Sequence, residues 1–185
     1  EFDYENEGVR QLLEQLHMLK QGQTKLTEIQ DAIQSLEQQF AGNRTNLDIA
    51  YKLKSNYVLT TRTNDAVAIM DELLADPNAP AETILTVASA YNDLNELERL
   101  ENALVRLVEV LPENPEAWFD LAATQAIMGK HQLALQTLGR TMELSRARRE
   151  KNPEAVDLAR KARLDVRLNA LKAMPDFQRI LNPLN

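Results

Sequence analysis

Apolar residues recur three and four positions apart along most of the chain, with polar residues between them, the spacing of helices that each bury one face. Between residues 7 and 41 the apolar set is Val9, Leu12, Leu16 and Leu19, then Leu26, Ile29, Ile33, Leu36 and Phe40. The two sets are out of phase across Gly22-Gln23. Either one helix of roughly 50 Å runs through with a stutter, or Gly22 ends a first helix and Thr24 or Thr27 starts a second. An interior Gly costs a helix about 1 kcal/mol, which tips the reading to a hairpin stacked on the next pair of helices. A continuous helix carries a stripe two residues wide that needs a partner helix, and so predicts self-association through residues 8–41 as a dimeric or trimeric coil.

Beyond the turn at residues 41–46 the pattern repeats itself. The stretch from Ala81 to Tyr91 recurs from Pro115 to Gln125, a separation of 34 residues. Ile84 returns as Trp118, Val87 as Leu121, Ala88 as Ala122 and Leu104 as Leu138. Subtracting the same period gives Ala50, Leu53 and Lys54, then Tyr57, Ala66 and Met70, with Lys54 where a small residue is expected. The repeats are 47–80, 81–114 and 115–151, punctuated by Asp76-Pro-Asn-Ala-Pro80 and Leu111-Pro112. The third has Arg146 in place of a terminal Pro, so its second helix is expected to run to about Lys151.

The phrase Asn114-Pro-Glu-Ala117 returns at Asn152-Pro-Glu-Ala155 and predicts another helix. Its apolar members are Val156, Ala159, Leu164, Leu168 and Leu171, interleaved with Arg160, Lys161, Arg163 and Arg167 as a polar outer face. A short final helix is expected to pin Phe177 and Leu181 back on this cap. The chain thus divides into residues 1–45 as hairpin or coiled coil, 46–151 as three repeats, and 152–185 as cap.

The period of 34 and its apolar placement resemble the tetratricopeptide repeat (TPR), a helix hairpin stacked into a solenoid. The expected fold is all-α: a TPR-like α-solenoid of antiparallel helix hairpins with an N-terminal helical extension and a C-terminal capping helix. Leu100 departs from the family pattern, which prefers Ala there. The ending, with its Asn-Pro-x-Ala start and Pro-Asp-Phe-Gln-x-Ile-Leu close, looks like the C-terminal repeats of large bacterial membrane proteins.

The resemblance implies a binding groove on the inner side of each hairpin's first helix. Its residues here are Tyr51, Lys52, Ser55 and Leu59, then Leu85, Thr86, Ser89 and Asn92, then Phe119, Asp120, Ala123 and Ile127. Tyr51, Leu85 and Phe119 are the apolar anchors, for a helix or extended peptide, with carboxylates that favour basic ligands. Tyr51→Ala with Phe119→Ala is then expected to weaken a ligand at little cost in stability. TPR domains that clamp acidic chaperone tails use cationic and amide side chains where this chain has Tyr51, Ser55, Thr86, Glu116 and Asp120. Two carboxylates there repel such a tail.

Composition narrows the field further. Five Gly, no Cys and few aromatics suit helices with short connections, and exclude disulfides and thiolate metal sites. Net charge is −7, with twelve carboxylates against Arg99 and Arg106 between Asp71 and Asp120, and ten Lys and Arg between Arg146 and Arg179. That disfavours nucleic acid as the partner. No apolar run approaches a bilayer span. Glu1-Phe2-Asp3-Tyr4 has no initiator Met and no signal pattern, which reads as a piece of a longer protein, with compartment left open.

His17 and His131 stand alone, and no phosphate loop, nucleophile triad or paired-carboxylate motif is present. No catalysis, cofactor or metal is expected. Arg146-Ala-Arg-Arg149 is the candidate outside the groove for an anionic ligand, though favourable charge at a helix C-terminus also accounts for it. The sequence therefore predicts a protein-interaction scaffold for an unidentified protein or peptide. Its alternatives are a structural oligomerisation or spacer domain acting through the N-terminal coil, or the regulatory tail of a membrane enzyme.

Overall fold

The computed structural model describes residues 7–182. Residues 1–6, which carry the reading of the chain's start, and 183–185, at the end of the expected cap, lie outside the described residues. The described residues are helical hairpins joined by short turns, without strands. The helices are α1 (Glu7–Gly42), α2 (Leu47–Leu59), α3 (Thr63–Leu74), α4 (Ala81–Asp93), α5 (Leu97–Val110), α6 (Pro115–Ile127) and α7 (His131–Lys151). Shorter pieces come after α7: α8 (Leu158–Leu164), a 3-10 turn at Val166–Leu168, α9 (Asn169–Lys172) and α10 (Pro175–Leu181). None of these helices is long and apolar enough to cross a membrane. Two compact units divide between Glu72 and Leu73, near the end of α3.

In the first unit α1 is one helix, not the hairpin favoured from Gly22. The Thr24 and Thr27 hydroxyls, expected as caps, donate instead to the Lys20 and Gln23 carbonyls at 3.0 Å. Each bonds back one turn inside a continuous helix, and an exposed Gly alone is too small a penalty to break it. Only the C-terminal part of α1 is buried, through Ile33 and Phe40. Tyr57 of α2 donates from its hydroxyl to Glu37 Oε1 of α1 at 2.8 Å. Burial first, and then this hydrogen bond, push the Tyr57 phenol up to about 12. Lys54, standing where a small residue was expected, is buried along its stem, with its ammonium 4.0 Å from the Tyr51 ring centre.

The repeat period is also written in the backbone. Thr61, Asn95 and Gly129 have φ of 59°, 57° and 76°, the left-handed residue that ends the first helix of each hairpin. At each of these turns the next amide donates back to a carbonyl five residues earlier. Arg62 reaches Tyr57 at 2.7 Å, Glu96 reaches Tyr91 at 2.9 Å and Lys130 reaches Gln125 at 2.9 Å. Asn and Gly adopt this conformation readily, whereas β-branched Thr61 does so at a cost.

In the second unit α4 pairs with α5 and α6 with α7. Asn114 caps α6, its side chain accepting from the Glu116 and Ala117 amides. Ile84 is fully buried, while its repeat mate Trp118 is only partly so and donates from its indole to the Pro112 carbonyl at 2.9 Å. Without the terminal Pro, α7 continues to Lys151.

The segment after α7 differs from the expected cap helix. Asn152-Pro153 makes a turn, and the helix starts at Leu158, where the Asp157 carboxylate accepts from the Arg160 amide. Val156 and Leu164 are exposed, because helix begins later than the repeated phrase implied and the buried face is Leu158, Ala162, Leu168 and Leu171. Asp165, with extended backbone, ends α8 and caps the next turn by accepting from the Arg167 amide at 2.9 Å. These pieces, with Phe177 and Leu181 of α10, close the core of α6 and α7.

Candidate functional site

On α4, Leu85, Ser89 and Asn92 fall four and three residues apart and so share one helix face. All three are exposed, Leu85 by 50%. Asp120 and Thr124 share a face of α6, Asp120 partly exposed and Thr124 buried, with the Thr124 hydroxyl donating to the Asp120 carbonyl at 2.9 Å. With buried Leu100 and Leu104 of α5 beneath them and Arg167 beside them, these residues line a cleft of about 280 Å³. Its floor is apolar and its margin polar, the composition of a site that holds one side chain of a ligand and fixes its orientation. Leu100, the departure from the family pattern, supplies part of that floor.

Arg167 was expected on an outer face and lies instead in the cleft. Its Nη2 donates to Asp120 Oδ1 at 3.1 Å and to Asp165 Oδ2 at 2.8 Å. The Asp165 bonds come first in holding the guanidinium's pKa above its usual value, and the same contact holds the Asp165 carboxyl below the usual carboxylate range. Asp120 is therefore partly neutralised from within the chain. Lys161, though exposed, lays its ammonium 4.4 Å from the Phe119 ring centre, with the Arg167 guanidinium 5.8 Å from the same ring.

Phe119 and Ala123, expected to line the groove, are consequently buried in the core closed by the C-terminal segment. A fully covered ring cannot anchor a ligand. Thr86 is partly buried and Ile127 half-exposed. The remaining candidates belong to α2 in the first unit. There Tyr51 and Leu59 are exposed, Lys52 pairs with Asp48 at 2.6 Å, and the Ser55 hydroxyl donates to the Tyr51 carbonyl at 2.9 Å. Thr124 and Arg167 escaped the reading from sequence. The trace for Arg167 was Asp165, a lone carboxylate in a basic run, placed where it caps the following turn.

The arginine run after α7's buried stretch is used internally. Arg146 donates to the Ile180 carbonyl at 2.5 Å, and Arg149 lies 3.3 Å from Asp157. Arg148 makes a two-pronged pair with Glu116, at 2.8 and 2.7 Å. The run staples α7 to α6 and to the C-terminal segment, which accounts for it without an anionic ligand. Among the described residues no group of three or more His, Cys, Asp or Glu is arranged to hold a metal. The His17 ring meets the Gln21 amide one turn on, at 2.8 Å.

These pairs set an acid limit. The Glu116 carboxyl is held below its ordinary value, chiefly by the Arg148 hydrogen bonds, and Asp157 likewise, chiefly by the Arg160 amide. Carboxyls depressed in the folded state contribute stability that is present above the unfolded carboxylate range, near pH 4, and lost as pH falls through the folded values. Melting temperature should therefore fall as pH drops below about 4. Glu116→Gln with Asp165→Asn should start lower at neutral pH and fall less steeply; equal slopes for variant and parent would remove these carboxylates from the explanation.

A solved structure shares this architecture. YrrB, described as a TPR protein with an unusual peptide-binding site, matches at a TM-score of 0.51 and 15% identity, over 85% of this chain and 76% of that chain. MamA matches at a TM-score of 0.48 and 20% identity, over 87% of this chain and 91% of that chain. The fold is thus TPR-like, an all-α solenoid of helix hairpins. No protein-family model matches the sequence, and no curated protein matches it.

Proposed function

We propose that the chain is a protein-interaction module that takes a peptide or helix on the inner face of α4 and α6. The observation that carries this is the cleft of about 280 Å³ with half-exposed Leu85 at its mouth. An apolar ligand side chain enters over Leu100 and Leu104 and displaces water from them. Ser89, Asn92 and Arg167 then offer donors to the ligand's backbone carbonyls, and Asp120 accepts from an amide or a basic side chain. The similarity to YrrB supports the hairpin geometry on which such a face depends, and the bound sequence is a property of the side chains in the cleft.

The test is selection of peptides from a displayed random library on the full chain. Selected peptides should share an apolar residue and bind Leu85→Asp at least about tenfold more weakly, a loss of about 1.4 kcal/mol. Leu85 is a surface residue, so the variant should melt within a few degrees of the parent. Peptides that bind parent and Leu85→Asp equally well would place recognition elsewhere.

A further inference from the structure

We propose that the N-terminal half of α1 pairs antiparallel with the same segment of a second copy of this chain. Among the described residues, nothing covers the leucines of this half-helix. Leu12, Leu16, Leu19 and Leu26 are exposed by 61%, 61%, 70% and 45%. α1 is about 54 Å long and α2, against which its other half packs, only about 20 Å. A helix free of packing over some twenty residues, with Gly22 within it, lacks the main source of helix stability in proteins.

The exposed residues belong to a seam whose other end is already covered. Val9, Leu12, Leu16, Leu19, Gln23 and Leu26 keep one heptad, which Ile33 and Phe40 continue while Ile29 and Leu36 step off it. α1 therefore buries the C-terminal end of this seam in its own hairpin and leaves the N-terminal end open.

Three features select a second copy as the occupant. The seam is neutral: of the flanking Leu13, Gln15, Lys20, Gly22 and Thr27, only Lys20 is charged, so like copies do not repel. The area is sufficient. Leu12, Leu13, Leu16, Leu19 and Leu26, at roughly 100 Å² each, give on the order of 1,000 Å² for two copies, about the least a specific interface needs. The surface offers a seat for a side chain. Around Gly22 lies an apolar hollow of about 680 Å³ that Leu19, Gln23 and Leu26 help to line, and nothing stands within 4 Å of where a Gly22 side chain would be.

Leu19, Gly22, Gln23 and Leu26 form the four-cornered hole that receives one knob from a facing helix. In an antiparallel pair, Val9 meets Leu26, Leu16 meets Leu19, and Leu12 of the second copy fills the hole. A parallel pair puts the Gln23 amide there instead, where it loses water without gaining a matched apolar contact.

The chain has no Cys, so cross-linking through introduced ones is unambiguous. Sedimentation equilibrium of the full chain should show a monomer–dimer equilibrium in the micromolar range. Leu16→Glu with Leu19→Glu should weaken it at least about 100-fold, with the melting of the hairpins unchanged because both residues are exposed. A mixture of Val9→Cys and Leu26→Cys chains should form a mixed disulfide dimer on oxidation. Val9→Cys alone should not, its two sulfurs being about 25 Å apart along the antiparallel pair. A monomer at all concentrations, a dimer indifferent to the two Glu substitutions, or ready Val9→Cys homodimers would overturn the proposal.

Discussion

Phe119→Ala lowers the stability of the C-terminal unit by roughly 3–5 kcal/mol, the usual cost of emptying a buried aromatic site. In a domain of this size that is on the order of 10–20 °C of melting temperature. The ring is fully buried between α6 and the C-terminal segment, against Ala123, Leu158 and Leu168, with Lys161 and Arg167 over it. Truncation leaves a cavity that main-chain helices cannot collapse into. Tyr51→Ala, at an exposed position, should cost no more than about 1 kcal/mol. The two residues look alike from the repeat pattern and differ because only the third repeat is followed by the C-terminal segment. Calorimetry of the two single variants separates them, and a Phe119→Ala protein that melts like the parent would mean that the ring is not core.

The second large effect comes from ending the chain after Asn152. This strips α8 to α10 from α6 and α7 and uncovers Phe119, Ala126, Leu135, Leu138 and Met142 together. A terminal repeat without a solvating cap exposes the apolar face meant for its neighbour. The shortened chain should be recovered mostly as aggregate, and any soluble fraction should elute as broad assemblies in size-exclusion chromatography. A monodisperse shortened chain that melts within a few degrees of the parent would contradict the role given to the C-terminal segment.

The hairpins were legible in the sequence because a buried helix face must repeat with the hairpin. Ala50 and Ile84, Leu53 and Val87 and Leu121, Ala66, Leu100 and Ala134 are all buried at the 34-residue spacing. Features that depend on a single competition between neighbours were not legible. Gly22 and the two threonines after it carry the letters of a helix break, yet each hydroxyl finds a carbonyl in the preceding turn and the helix continues. Asn152-Pro153 copies a helix start, but Asp157 wins the cap because the apolar residues that can be buried begin at Leu158.

Four of the residues that line the second-unit cleft, Leu85, Ser89, Asn92 and Asp120, are among those that the resemblance to the repeat implies. Arg167 is not, since it arrives from another segment through a break at Asp165. Nor does the resemblance imply the burial of Phe119 and Ala123, which the same segment imposes.

Cysteine accessibility tests most directly the division of this inner face into an open and a closed part. In a chain without native thiols, Ser89→Cys and Asn92→Cys should react with iodoacetamide at close to the rate of a free thiol, and a selected peptide should protect both. Ala123→Cys, under the C-terminal segment, should react about 100-fold more slowly or only on unfolding. Reaction of all three at the same fast rate would mean that the C-terminal segment does not close over α6.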